Sequence, residues 1–278
     1  MRTEFLTIFW RDMIKFFRSR AMLFTSLIQP ALWLALFGLS MSSNFDLIAP
    51  GASNQQGVVS VSYLTFMAAG VLSMTILFTC LYSGISLQFD KQFGLMKEMV
   101  ASPLPRSHIL LGISLSGVAK SLIQSVIIVL FGFILGVRFF GGFTIGQTLL
   151  SIVGILLFVV LFALGLLFLA SAVAMKLESH EGLQGIITLL SLPLFFASNA
   201  LYPIDSLPLA IKLISYVNPL SYFINGIRYF SLGSTFYSVG TYYAYGVYDV
   251  LLSLAFLLGF DIVMCFLAIR AVKKAKIV

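Results

Sequence analysis

Catalysis needs side chains that can hold a metal, move a proton or attack an electrophile, and this chain offers few. Its two histidines, His108 and His180, are far apart in sequence, each near a membrane-boundary loop. Cys80 and Cys265 fall inside apolar runs, where a thiol behaves as a small buried hydrophobe. There is no G-x-x-x-x-G-K-[ST] phosphate loop, no zinc-ligand spacing and no serine–histidine–acid set. Polar residues instead crowd into FDKQFGLMKEMVASPLPRSHILLG at 89–112, a charged, proline-broken stretch between two long apolar runs. Asp90, Lys91, Gly94, Lys97, Glu98, Ser102, Pro103 and Arg106 lie in it, either as an ordinary loop whose charges are solvated or as a rigid contact for a partner. A short helix around Leu95–Ala101 would lay Leu95, Met96, Met99 and Val100 on a neighbour and turn Lys97 and Glu98 outward. Pro103 and Pro105 would then end it. A second inner loop, KLESHEGLQ at 176–184, brings Glu178, His180 and Glu181 either to the same kind of contact or simply to solvent.

Two charges stand where charge is expensive. Lys120 lies about eleven residues into the third apolar run, and Asp261 is near the middle of the last. Ionisable groups inside a bilayer face protein and find partners. One expectation is that Lys120 and Asp261 pair. The other is that Lys120 snorkels to the inner interface while Asp261 bonds to a Ser or Thr.

The elements that must carry these residues are membrane helices. Of 278 residues, 60% are hydrophobic and 10% charged, and mean hydropathy is +1.04, far from the soluble average of about 45–50% apolar and 25% charged. The whole chain 1–278 reads as one polytopic domain, all-α because only helices or closed barrels satisfy their backbone in lipid. Six spans are expected near 21–41, 63–89, 109–137, 148–175, 183–202 and 250–269. Thirteen of the 17 Lys and Arg residues then fall on one side, so both termini are cytoplasmic by the positive-inside rule. The net charge of +7 thereby reports topology, not nucleic-acid binding. Residues 1–20 alternate aromatic and basic residues at helical spacing, as in an uncleaved interfacial helix with its basic side toward anionic lipid. Residues 203–230, holding Pro203, Pro208 and Pro219, never make an uninterrupted span and read as short helices at the outer interface. The tyrosine-rich 234–248 reads as an outer aromatic belt.

The order Asp90-Lys91, Gly94, Glu98, Ser102-Pro103, Arg106 and Gly112 resembles the cytoplasmic coupling segment of type-2 ABC exporter permeases. Gln92 and Ile113 depart from it where an acid and a lysine are frequent. Asn218-Pro219-Leu220 followed by Arg228 is similar to that family's external re-entrant element, so the likeness spans essentially the whole chain. The resemblance implies a non-enzymatic transport subunit, paired with a second permease copy and served by two ABC ATPase subunits that carry the ATP and Mg. It also implies a pathway along the second and fifth spans, here Phe66, Met67, Met74, Phe78, Phe195, Phe196 and Asn199. Such a wall suits a drug- or lipid-like cargo, with a glycoconjugate as the alternative. A bacterial or archaeal plasma membrane is the expected location. Two readings from other classes stay open: an ion-driven secondary transporter or channel using Asp261 and Lys120, and an assembly factor that anchors an ATPase.

Overall fold

The computed structural model describes residues 4–47, 59–101, 105–177 and 179–274. The chain is mainly helical. An amphipathic helix α1 (Glu4–Arg18) turns at Ser19 into α2 (Arg20–Leu32). Pro30 lies inside α2, and the helix widens directly afterwards into a π-helical stretch, Trp33–Gly38, before α3 (Leu39–Leu47). A proline that removes one i→i−4 bond makes such a local rewinding understandable. After strand β1 (Val59–Ser60), helix α4 (Tyr63–Gln92) begins at Ser62, whose hydroxyl accepts the Thr65 amide. Then follow α5 (Leu95–Ala101), α6 (Arg106–Ile134) and α7 (Ile145–Lys176). Thr144 and Gln147 close a capping box at the start of α7. Next come α8 (His180–Phe196), a 3-10 turn at Ile204–Ser206, α9 (Leu209–Val217) and α10 (Pro219–Leu232). Strands β2 (Thr235–Ser238) and β3 (Thr241–Ala244) and the last helix α11 (Val247–Lys274) complete the chain.

Among the described residues, five helical segments are long and apolar enough to cross a membrane: Leu23–Asn44, Tyr63–Gln92, His108–Ile134, Ile145–Lys176 and Val247–Lys274. The expected fifth span is shorter than the sequence suggests. Helix α8 has 17 residues and stops at Phe196, and residues 197–203 are non-helical.

Helix α4 is the axis of the bundle, buried on nearly every face against α6, α7, α8 and α10. Helix α11 lies along α7 and α10 and shows most of its length to the outside. Glycines allow the tightest crossings. A Cβ at Gly70 would fall 2.5 Å from the Ala200 carbonyl oxygen, and one at Gly112 would fall 2.8 Å from that of Phe5.

The tyrosine-rich segment is more than a belt. β2 pairs antiparallel with β3 and parallel with β1, in the order β1-β2-β3. Both residues of the Val239-Gly240 turn have positive φ, 51° and 72°, as a two-residue type I′ hairpin requires. Fully buried Phe236 stacks on Tyr243 at 5.0 Å between centroids.

Candidate functional site

The charged segment forms the short helix expected of it, but Leu95, expected against a neighbour, is exposed, and the side chain of Val100 lies outside the described residues. Helix α4 ends at Gln92, Gly94 turns the chain with φ +80°, and α5 occupies Leu95–Ala101. Met96 is buried, whereas Lys97 and Glu98 are exposed. Ser102 and Pro103 lie outside the described residues, as do Glu178 and the side chain of Arg106. Glu181 is exposed on the first turn of α8, and neighbouring His180 stacks on Phe89 at 4.3 Å.

Asp90 and Lys91 do a different job from the outward contact the resemblance implies. Asp90 is buried and takes a 2.5 Å hydrogen bond from Arg11 Nη2 and a 3.2 Å one from Lys15 Nζ, both on α1. Lys15 Nζ also donates to Ser86 Oγ at 2.9 Å. Arg11 and Lys15 of α1 are therefore engaged by α4, while Arg18 is exposed. The free apolar side chains of α1, Leu6, Trp10 and Phe17, are the part left to a membrane. Lys91 Nζ donates to the carbonyls of Leu177, at 2.8 Å, and Met175, at 3.3 Å. Gln88 Nε2 joins it at Leu177, 3.1 Å away. A cation on terminal carbonyls stabilises a helix C-terminus. Asp90 and Lys91 thus tie α1, α4 and α7 into one body from which α5 projects.

Lys120 does not pair with Asp261. Its ammonium bonds to Asp12 of α1, which also accepts the Ser116 hydroxyl, and it lies 5.6 Å from the Phe16 ring centroid. Both charges are buried, Asp12 at 4% exposure and Lys120 at 7%. The carboxyl of Asp12 is held below its ordinary value. Burial alone would push it up, and the adjacent Lys120 ammonium, its hydrogen bond, Ser116 and Arg11 together outweigh that. Asp261 packs instead against α7, its Oδ1 within 2.4 Å of where a Cβ on Gly165 would be. Sequence spacing had no means of finding Asp12, because α1 meets α6 only once the chain has folded back.

At the opposite end, two residues of the resemblance converge on the place where α8 stops. Asn218 Nδ2 donates to the Leu194 and Ala197 carbonyls at 2.6 and 3.1 Å, while its Oδ1 accepts the Leu220 amide and starts α10. Pro219 occupies the first turn of α10, where no amide is needed. Arg228 is completely buried. Its Nη2 reaches the Asn199 carbonyl at 2.7 Å and those of Phe66 and Ala200 at 3.4 Å, and its guanidinium sits 3.5 Å from the Phe66 ring centroid. Asn199 Nδ2 donates to Asn225 Oδ1 at 2.5 Å. A broken helix in a bilayer is tolerated only where its carbonyls are satisfied by protein, and Asn218 and Arg228 supply those donors.

The expected pathway residues divide. Phe66, Met67, Met74, Phe195 and Asn199 are buried in this chain's own core, so they present no wall to a passing molecule. The reason is the central place of α4, whose faces are all taken by neighbours. Phe78 is half-buried and stacks on Tyr82, and Phe196 is exposed beside Trp33. Apolar faces open to the outside lie on α6, α7 and α11, and one belongs to the first span and α8. It includes a cavity of about 370 Å3 lined by Leu32, Trp33, Leu36, Phe37 and Ser40.

The family model described as "ABC-2 type transporter" matches residues 3–232. Proteins designated ycf38, which carry a transport-permease name, are 31% identical over 79% of this chain and 70% of their own in Pyropia yezoensis. In Cyanophora paradoxa the identity is 32%, over 79% and 71%. The daunorubicin resistance ABC transporter permease protein DrrB1 of Streptomyces coeruleorubidus is 25% identical over 78% of this chain and 71% of its own.

Proposed function

The chain belongs to the ABC-2 type transporter family, and from that premise we propose that it is the membrane half of an exporter for a drug- or lipid-like amphiphile. Permeases of this family work with ATP-binding subunits. In our reading two such subunits hydrolyse ATP and push on two copies of this chain. The observation that carries the proposal is α5. It offers Lys97 and Glu98 outward, stands on buried Met96, and is rooted through Asp90 and Lys91 in three other helices. A load applied there would move α1, α4 and α7 together rather than bend a loop.

Helix α8 would complete six crossings. Its 17 residues rise about 26 Å at 1.5 Å each, close to the roughly 30 Å hydrocarbon core. Both termini then lie on the basic, cytoplasmic face, and the α9–α10 pair and the small sheet lie outside. The apolar surface around Trp33, Phe37 and Phe196 is where a second copy would sit and where cargo would pass. The drug-resistance name of the Streptomyces relative favours an amphipathic cargo and a prokaryotic plasma membrane. The ion-driven alternative loses its relay, because Lys120 is already engaged by Asp12.

The test is co-purification. The chain, tagged and expressed with candidate P-loop ATPases, is extracted in mild detergent. Retention of an ATPase by the natural chain, with loss in the double variant K97A/E98A at unchanged thermal stability, supports the reading. A chain that retains no ATPase, with no nucleotide-dependent transport in vesicles, ends it.

A further inference from the structure

The buried pair Asp12–Lys120 lies at one side of a polar wedge that the coupling role does not use. On α4, Thr79, Ser83, Ser86 and Asp90 recur at intervals of four, three and four residues, so they share one face. On α6, Ser116, Lys120 and Gln124 do the same. Thr79, Ser83 and Ser86 of the first stripe and Lys120 and Gln124 of the second line a cavity of about 60 Å3, together with Tyr82, with Asp12, Lys15 and Phe16 of α1, and with Ser19 and Ser26 at the α1–α2 elbow. Gln124 bonds to Thr79 and, at 2.6 Å, to Ser26. Ser83, on the same face as Thr79, is 5% exposed and its hydroxyl has no hydrogen-bond partner. Ser83 is nine residues from the end of α4, a rise of about 14 Å, so the wedge reaches deep into the bilayer. Bare hydroxyls and charges at that depth cost several kcal/mol unless water or a ligand meets them.

The wedge is short of acceptors, not donors. The charges that line it are Asp12 and Lys15 on α1 and Lys120 on α6, two cations against one carboxylate; Asp90 and Arg11 pair outside the lining. Each carboxylate is already engaged, Asp12 by Lys120 and Ser116, Asp90 by Arg11 and Lys15. Left over are ammonium protons of Lys120, which has three to donate, and the Ser83 hydroxyl. At about 60 Å3 the cavity is roomy enough for a few waters or a small polar head group. Beside the elbow, Phe17, Phe24 and Ile28 are exposed apolar side chains suited to lipid. We propose that this wedge binds the phosphate-type head of an anionic amphiphile drawn from the cytoplasmic leaflet, its tail remaining in the bilayer. The inference rests on the orientation given under the proposed function and names the head-group chemistry of the cargo.

The experiment is thiol accessibility. S83C is placed in a C80A/C265S background and reconstituted in phosphatidylcholine nanodiscs without any ATPase. The anionic reagent sulfonatoethyl methanethiosulfonate should label position 83 at least about tenfold faster than its trimethylammonioethyl counterpart, because a confined net positive charge attracts one and repels the other. Dioctanoyl phosphatidic acid should slow the labelling and dioctanoyl phosphatidylcholine should not. K120M, which leaves as many carboxylates as cations around the cavity, should abolish the preference between reagents. Equal protection by inorganic phosphate would support the anion chemistry and assign it to a free anion instead of a lipid. No labelling, faster labelling by the cationic reagent, or no protection by either phosphate overturns the proposal. None of these outcomes involves nucleotide or an ATPase, so failure here is separable from failure of the exporter reading.

Discussion

Replacing Lys120 with methionine removes the cation that touches Asp12 and leaves a carboxylate at 4% exposure with Ser116 as its remaining close partner. Breaking a buried ion pair from one side costs about 3–5 kcal/mol, whereas replacing both partners with apolar groups is close to neutral. At roughly 2–4 °C per kcal/mol for a chain of this size, K120M should melt about 6–20 °C below the natural protein. The pair variant D12L/K120M should recover most of that loss. The pH dependence gives a second signature. In the natural chain the Asp12 carboxyl sits below 3.8, so its native pKa is depressed. Its contribution is complete above 3.8 and is lost only as pH falls through the native value. Melting should therefore be flat from this cause between about pH 5 and 9. In K120M the compensating cation is gone and burial dominates, so the native pKa of Asp12 rises above the unfolded one. The sign reverses, and K120M should gain stability as pH is lowered toward 5. The assay is thermal unfolding of the detergent-solubilised chain followed by tryptophan fluorescence across that range. If K120M melts within about 2 °C of the natural chain, or stays as flat on acidification toward pH 5 as the parent, the pair does not hold α1 to α6.

Four further outcomes follow from the same geometry. G112V drives a side chain into the Phe5 carbonyl and Ile8, which stand 2.8–3.0 Å from a Cβ there, and should cost about 1–3 kcal/mol; limited trypsin digestion should show α1 released while the rest of the chain stays intact. N218A leaves the Leu194 and Ala197 carbonyls without their donor and removes the α10 cap. At about 1–3 kcal/mol for an orphaned acceptor, it should speed hydrogen exchange at residues 194–201 far more than elsewhere. K91M frees the Met175 carbonyl and leaves that of Leu177 to Gln88 alone, and should lower the melting temperature by about 2–8 °C, for roughly 1–2 kcal/mol of charge-assisted bonding. V239N replaces a β-branched residue at φ 51° with one that accepts positive φ, and should stabilise the hairpin by about 1 kcal/mol, read as a rise in melting temperature.

Much of the molecule was legible in the chain. Uncharged runs near 20 residues long can only be helices in lipid, so the span helices and the basic face follow from local composition. The short helix at Leu95–Ala101 is local too: Gly94 before it and Pro103 after it bound the only helix that stretch can make. Asn218 and Arg228 could be singled out through a family likeness, yet their task could not, because the carbonyls they satisfy lie 21–29 residues back or on α4. The small sheet was missed for a similar reason. A two-residue strand at Val59–Ser60 carries no period of its own and exists only because β2 is beside it.

Where composition left choices open, tertiary structure made them. Lys120 had several outlets, and α1 folding onto α6 supplied Asp12. Phe66 and Met67 are as apolar as any pathway wall, and the central position of α4 turned them into core. Local sequence dictates which segments are helical and which side of the membrane their charges prefer, since those energies are summed residue by residue along the chain. It does not dictate which faces meet, because in a bilayer nearly every helix face is equally apolar. The choice among them falls to the few glycines, buried charges and unpaired carbonyls that fit in only one arrangement.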